Sequence, residues 1–350
     1  MGAAALGGTA CDLHCQVLLF LIPRDTREDV LLSSPSWPWL VSWRASSSTA
    51  RLAARSALLG MLASGTPLAA DGLHMVCPEG DEEAVAALVK LAKDGDDSGR
   101  MAAARGLGDL ASRGQKTAEA AVLGLLRDSS EGVVILALGA AVGVVASRQK
   151  DCLPAVRRCL QSEDSAVRRA AVDSLSAIGT EVGDKLTMRH LEAALQDECR
   201  WVRVAAIEAL VKTVCRGERD AIACLQQRLS DEIWTVRQAA LYAMAKLVEV
   251  GDDIALACIA ARLEDPFPSV RIAALEALAE AAPQGHREAL KLASGCLHDI
   301  EPDVRIEAVE AVVRLAETGD EESMTVLARC SRDDEDEDVR AAAEGGVGRL

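Results

Sequence analysis

A chain of 350 residues that is 50% hydrophobic but only 2% aromatic cannot build its core around large rings; it must layer Ala, Leu and Val. Its formal charge of −16 argues against nucleic acid as a ligand, since phosphate binding needs a clustered Lys/Arg face. Residues 1–80 hold five arginines against six carboxylates, so −15 of that charge falls on the remainder, which suits a basic protein partner.

Residues 1–49 form a leader without the pattern of the rest. Val17–Ile22 (VLLFLI) is apolar but far shorter than the roughly 20 residues that span a bilayer, so no membrane span is expected. No basic segment precedes it, which disfavours a secretory signal, and Leu6 stands where a myristoylation motif after Met1-Gly2 wants Ser or Thr. Residues 30–70 carry Arg44, Arg51, Arg55 and many serines but no acid, a bias shared with organellar targeting segments; a flexible leader is the default. Trp37-Pro-Trp39 and Trp43 form an aromatic knot suited to docking on the first repeat, with a partner as the other reading. Residues 50–80 are expected to be an atypical N-terminal cap. Within it 50–64 is a helix resembling the second helix of a unit, and Gly65–Gly80 is a loop.

Residues 81–350 repeat. Val-Arg pairs stand at Val167-Arg168, Val202-Arg203, Val236-Arg237, Val270-Arg271, Val304-Arg305 and Val339-Arg340, with arginines 35, 34, 34, 34 and 35 residues apart. Six positions before most of them is an aspartate: Asp197, Asp231, Asp265, Asp299 and Asp334. Ser162 takes that place before Arg168. Stepping back reaches Val134 behind Asp128 and Arg100 behind Asp94, for eight units in register. A leucine eight positions before the register residue (Leu195, Leu229, Leu263, Leu297) closes one amphipathic segment. Apolar residues at four, seven and ten after it (Leu241, Met244 and Leu247, for example) make a second helical stripe. Each unit is a helical hairpin, and a period of this length means a solenoid whose units bury apolar surface only against their neighbours.

The Asp-x5-Arg spacing, the Val before the Arg and the following Ala-Ala-x-x-Ala-Leu resemble HEAT repeats, with the short unit closest to the subclass of phycobilisome lyases. The resemblance implies an all-α, right-handed α-α superhelix of about eight hairpins. It also implies that Asp197, Arg203, Asp231, Arg237, Asp265, Arg271, Asp299 and Arg305 line the interhelical turns as a ladder from repeat to repeat. Val134→Arg, which restores the consensus, is then expected to be tolerated. The nearly wholly apolar stretch 133–146, with Gly139 and Gly143, is expected to be packed on both sides rather than a sticky patch.

In such arrays the second helices line the concave side. Position five after the register residue points away from the apolar stripe and holds Asp173, Glu208, Tyr242, Glu276 and Glu310, a groove of acidic bias with the chain's only tyrosine as anchor. Glu208–Lys212 and Glu310–Arg314 are spaced as ordinary i,i+4 surface pairs; Glu276–Glu280 is not. A second candidate is the edge formed by Trp201, Trp234 and Phe267 in three consecutive turns, with simple packing over the turns as the other reading. The acidic run 332–338 is expected to be a solvated cap.

Catalysis finds no support. His14, His74, His190, His286 and His298 show no metal-ligand spacing, no His-Glu pair of the deoxyhypusine hydroxylase kind occurs, and no nucleotide or nucleophile motif is present. Eleven cysteines spread singly, with Cys224/Cys258 and Cys296/Cys330 at equivalent positions, read as small apolar residues of a reduced, cytoplasmic or otherwise intracellular protein. The expectation is a non-catalytic, cofactor-free scaffold for a basic protein partner; a bilin-lyase-like or chaperone-like factor is the alternative from the subclass resemblance.

Overall fold

The computed structural model describes residues 48–64, 66–145, 152–178 and 185–350; the apolar VLLFLI stretch, Cys11, Cys15 and the tryptophans at 37, 39 and 43 lie outside them. The described residues form 18 α-helices and no strand. They fall into two compact units, residues 1–179 and 180–350.

In the first unit α1 (Ser48–Ala63) and α2 (Ala70–Val76) precede the hairpins α3 (Glu82–Asp94)/α4 (Asp97–Leu110), α5 (Lys116–Leu125)/α6 (Glu131–Val144) and α7 (Cys152–Cys159)/α8 (Ser165–Ala177). The second unit holds α9 (Lys185–Ala194)/α10 (Arg200–Thr213), α11 (Arg219–Arg228)/α12 (Trp234–Leu247), α13 (Asp253–Ala260)/α14 (Pro268–Ala281), α15 (Arg287–Gly295)/α16 (Pro302–Leu315) and α17 (Glu321–Asp333)/α18 (Glu337–Val347). Second helices pack on second helices within each unit. Their apolar stripes are wholly buried, as at Leu210, Leu241, Met244, Leu275 and Val312, and this burial is the main source of stability.

The register residues lie in the turns, and the carboxylate that each paired arginine grips belongs to the next unit, which makes the ladder run from repeat to repeat. Arg237 donates from Nε and Nη2 to Asp265 at 2.7 and 2.8 Å, while its Nη1 donates to the carbonyl of Asp231 at 2.8 Å. Arg271 holds Asp299 (2.7 and 2.7 Å) and Arg305 holds Asp334 (2.9 and 2.9 Å) in the same two-pronged way. Arg203 reaches Asp231 at 2.9 Å, and in the first unit Arg100 grips Asp128 at 2.6 and 3.0 Å. Each aspartate also accepts the backbone N–H two residues on, as Asp265 does from Phe267 at 3.1 Å. Burial alone would raise the Asp265 carboxyl, but Arg237 and the Phe267 N–H hold it below the usual carboxylate range.

A second tie runs through glycine. Gly80, Gly114, Gly217, Gly251, Gly285 and Gly319 all have φ between 77° and 86°, where a side chain is strained. Most donate their N–H to the carbonyl of the last residue of the following second helix: Gly217 to Leu247 at 2.7 Å, Gly251 to Ala281 at 2.8 Å and Gly285 to Leu315 at 2.7 Å, while Gly319 reaches Leu350, three residues past α18, at 2.8 Å. Helix-terminal carbonyls that would otherwise lack partners are thereby satisfied.

Three expectations change. The stretch 66–80 is not a loop: Ala69, Ala70 and Leu73 are fully buried, and α2 packs on α4 while α1 packs on α2 and α3. So α1 takes the place of a first helix and α2 that of a second, in a ninth, atypical hairpin. The acidic run is partly structural, since Asp334 belongs to the ladder and Asp336 caps α18 by accepting the N–H groups of Asp338 and Val339 at 2.9 and 3.2 Å. The apolar α6 is packed, as expected, against α4 and α8; its exposed positions after Glu131 are Gly139 and Gly143. A Cβ on Gly108 would lie 3.0 Å from the Cα of Ala140, so α4 and α6 approach closely.

The third change concerns Val134. Ladder partners lie 28 or 29 residues apart, and 28 beyond Val134 is Ser162, whose hydroxyl accepts the Asp164 N–H at 3.3 Å but offers no carboxylate. Both halves of that rung are missing together. Val134→Arg is therefore expected not to be tolerated: burying its charge at a position now 7% exposed should cost about 1–3 kcal/mol. Adding Ser162→Asp should recover most of the loss in a double-mutant denaturation cycle; independent, additive effects would count against a ladder geometry at this turn.

Arg237→Ala leaves a carboxylate whose side chain is 3% exposed with only a backbone donor. The expected loss is about 2–4 kcal/mol, read as a drop in urea midpoint. A loss below about 0.5 kcal/mol would show that the arginine behaves as an ordinary surface residue.

Candidate functional site

The second helices of the second unit present a solvent-facing row between their buried stripes. Glu208 (α10) and Tyr242 (α12) are exposed, the latter by 38%, while Glu276 (α14) and Glu310 (α16) are half-buried. Asp173, in the first unit on α8, is exposed and lies 4.0 Å from Arg169. The structure thus gathers Tyr242, Glu276 and Glu310 on adjacent helices. Lys212, Lys246 and Arg314 are exposed at the next helical position.

The i,i+4 pairing does not govern the charges here. Glu310 binds Arg349 just beyond α18, at 2.7 and 2.9 Å, in a two-pronged bridge. Glu276 borders Tyr242: burial, the Glu276 charge and a hydrogen bond to that carboxylate raise the Tyr242 hydroxyl pKa, while Gln238 Nε2 donates to it at 3.5 Å.

The sequence reading missed Glu307. It lies two residues after Arg305, where the preceding units place Ala205, Ala239 and Ala273. Ala205 and Ala273 are buried and Ala239 half-buried, so a glutamate there is forced into a half-buried setting. Burial first, then the charges of Glu276 and Glu310, push its carboxyl up to about 7, against a smaller opposing pull from Arg314. A break in the alanine register was the signal available for it; nothing local announced Arg349, which is 39 residues from its partner.

At the turn edge Trp234 is half-buried and stacks on Phe267, ring centroids 5.9 Å apart and planes 16° from parallel. Trp201 is 48% and Phe267 44% exposed. Arg200 lies 4.7 Å over the Trp201 ring and the ladder Arg237 5.6 Å from that of Phe267, so part of this edge is tied to the turns themselves.

Among the described residues no group of three or more His, Cys, Asp or Glu is placed to hold a metal, and no helix is long and apolar enough to cross a membrane. The nine described cysteines are free thiols, and burial pushes those of Cys152 and Cys296 up to about 11.

A helical solenoid built from Asp–Arg turns and positive-φ glycines defines a class of repeat protein. The chain belongs to the family of HEAT repeats, which it matches over residues 134–210, 188–279 and 256–347. Among solved structures it is similar to YibA of E. coli, with 20% identity over 75% of this chain and 92% of that one and a TM-score of 0.51. It is also similar to a chain from the structure of Kap95p with RanGDP, with 16% identity over 96% of this chain and 57% of that one and a TM-score of 0.58. At these identities the likeness is one of fold. No curated protein matches in sequence. The matches carry the HEAT family and not the narrower phycobilisome-lyase subclass.

Proposed function

We propose that the chain is a non-catalytic scaffold that binds a basic protein segment along the second-helix face of its second unit, the concave side in HEAT-like arrays. The observation that carries this reading is Glu307, a half-buried carboxylate that feels the charges of Glu276 and Glu310 and stands where sister units have alanine. Like charges held together cost stability, and the one base that grips them fully, Arg349, is spent on Glu310 alone. A lysine or arginine laid along Tyr242 would meet Glu276 and Glu307 and discharge that repulsion. Exposed aromatics among charges are common anchors of such contacts. The family is used mainly for protein binding, which agrees. A reducing compartment suits the free thiols. The chromophore-lyase alternative draws on the subclass resemblance alone.

Because Glu310 fixes Arg349, the cleaner test variant is Glu276→Lys with Glu307→Gln. Helicity by circular dichroism should stay unchanged. Affinity for the partner recovered by co-purification from native extract should fall by about 10–100-fold. Parent binding should weaken with salt through physiological strength, where the Debye length is about 8 Å. Binding unchanged by the double substitution would make this face merely solvated.

The pH dependence follows from the raised carboxyl. A cationic ligand binds the ionised form of Glu307, so below about 7 binding must expel a proton and weakens by up to about tenfold per pH unit. Affinity for a lysine-rich peptide should rise from pH 5.5 to 8 and level off above, and Glu307→Gln should flatten the curve. For stability the sign is opposite. A carboxyl with a raised pKa holds its proton longer in the folded state, so its contribution falls as pH rises from the ordinary glutamate range to about 7. Glu307→Gln should therefore raise the thermal midpoint at pH 8 and leave it nearly unchanged at pH 4.

A further inference from the structure

The turns of the second unit carry another surface, independent of the acidic groove. Trp201, Trp234, Phe267 and Ile300 stand 33 residues apart, one fewer than the 34-residue unit. Each therefore lies one position earlier in its turn than the one before: two, three, four and five residues ahead of Arg203, Arg237, Arg271 and Arg305. The shift draws an oblique apolar line across four consecutive turns. Packing over the turns accounts for Trp234, which is half-buried and stacked. It does not account for Ile300, which is 84% exposed, or for the exposed halves of Trp201 and Phe267. Single exposed apolar residues are ordinary, but a row of them on consecutive turns, two of them stacked, marks an interaction surface.

The rim of the line is acidic. Glu232, Glu264, Glu301 and Asp303 are exposed beside it, and Glu232 comes only within 3.9 Å of Arg203. Arg200, lying on the Trp201 ring, is the base at its start. Self-association through this edge would bring together the acidic rims of two chains of charge −16, and an anionic membrane would be repelled likewise. We propose that the Trp201–Trp234–Phe267–Ile300 ridge docks an amphipathic segment of a partner protein, with apolar side chains in one stripe and lysine or arginine flanking them. Helices stack about 8–10 Å apart, so three steps make roughly 24–30 Å, which a helix of about 16–20 residues at about 1.5 Å per residue covers.

The test uses the full chain and a labelled 18-residue peptide with leucines on one helical stripe and lysines elsewhere, followed by fluorescence anisotropy at physiological salt. Combining Trp201→Ser, Phe267→Ser and Ile300→Ser should weaken binding at least about tenfold. Ile300→Ser alone, which removes a side chain almost wholly in water and cannot endanger the fold, should weaken it about threefold. The groove variant with Glu276→Lys and Glu307→Gln should bind within about twofold of the parent. A peptide with serine for leucine should bind at least about tenfold more weakly. The ridge is refuted if neither Ile300→Ser nor the triple variant changes affinity, or if the serine peptide binds as well as the leucine one. A leucine/glutamate peptide of equal affinity would remove the charge argument and the proposal with it. A sedimenting dimer of the parent, abolished in the triple variant, would replace the partner by a second copy. Loss confined to the groove variant would move the peptide to the second-helix face, overturning the ridge while leaving the groove reading intact.

Discussion

Each ladder arginine is shared between two units. One edge of its guanidinium closes its own interhelical turn by donating to the carbonyl at the turn's start, and the other grips the aspartate of the next turn. Arginine alone among the side chains has a planar fork that can do both at once. The aspartate, meanwhile, accepts from its own turn's backbone as well as from the preceding arginine. Closing a turn and stacking a neighbour are thus one event, and the spacing of the hairpins is set as the turns form. The glycine N–H bonds fix the other end of the hairpins in the same sense. With both ends tied, the apolar stripes between them can be built from interchangeable Leu, Val, Met and Ala.

That division of labour decides where variation is free. The buried stripe accepts only apolar residues and the turn keeps its Asp, Arg and Gly, whereas outward positions of the second helices and the outer edge of the turns are not needed for stacking. Chemistry accumulates there: Tyr242, Glu276 and Glu310 on one surface, Trp201, Phe267 and Ile300 on the other. Glu307 is the exception that proves informative, because it sits where stacking prefers alanine and leaves its carboxyl among like charges. A residue that the fold does not ask for, at a place where the fold resists it, is a better guide to function than any number of charges on open surface.

The fold was legible because its determinants are local and repeated. Asp231 and Arg237 announce a turn within one unit, and six copies remove ambiguity about the period. What a within-unit pattern conceals is which unit each partner belongs to: the spacing of six names the residues, while the bond spans 28. The glycines at 217, 251, 285 and 319 were equally periodic yet passed unread, since a glycine signals φ > 0 only once the chain is known to turn left-handed there. The short α2 escaped because its buried face is three small or medium residues, Ala70, Gly72 and Leu73, too few to declare a helical period.

The site was less legible, for a physical reason. Offset arithmetic places Tyr242, Glu276 and Glu310 on one row, but the charge state of a row depends on what else reaches it. Arg349 arrives from past the last helix and neutralises Glu310, and Glu307 enters from a position classed as packing. The expected Glu310–Arg314 pair loses to a two-pronged bridge with better geometry, since a guanidinium meeting a carboxylate edge-on makes two bonds for one ordered side chain. What survives is an imbalance at Glu276 and Glu307, only partly offset by Arg314, beside one tyrosine ring. An acidic row spread evenly along the array would favour any polycation. On the proposed reading, a partly compensated pair beside an aromatic ring, spread over α12, α14 and α16, favours one basic side chain laid across those three units and so sets the register of the segment docked there.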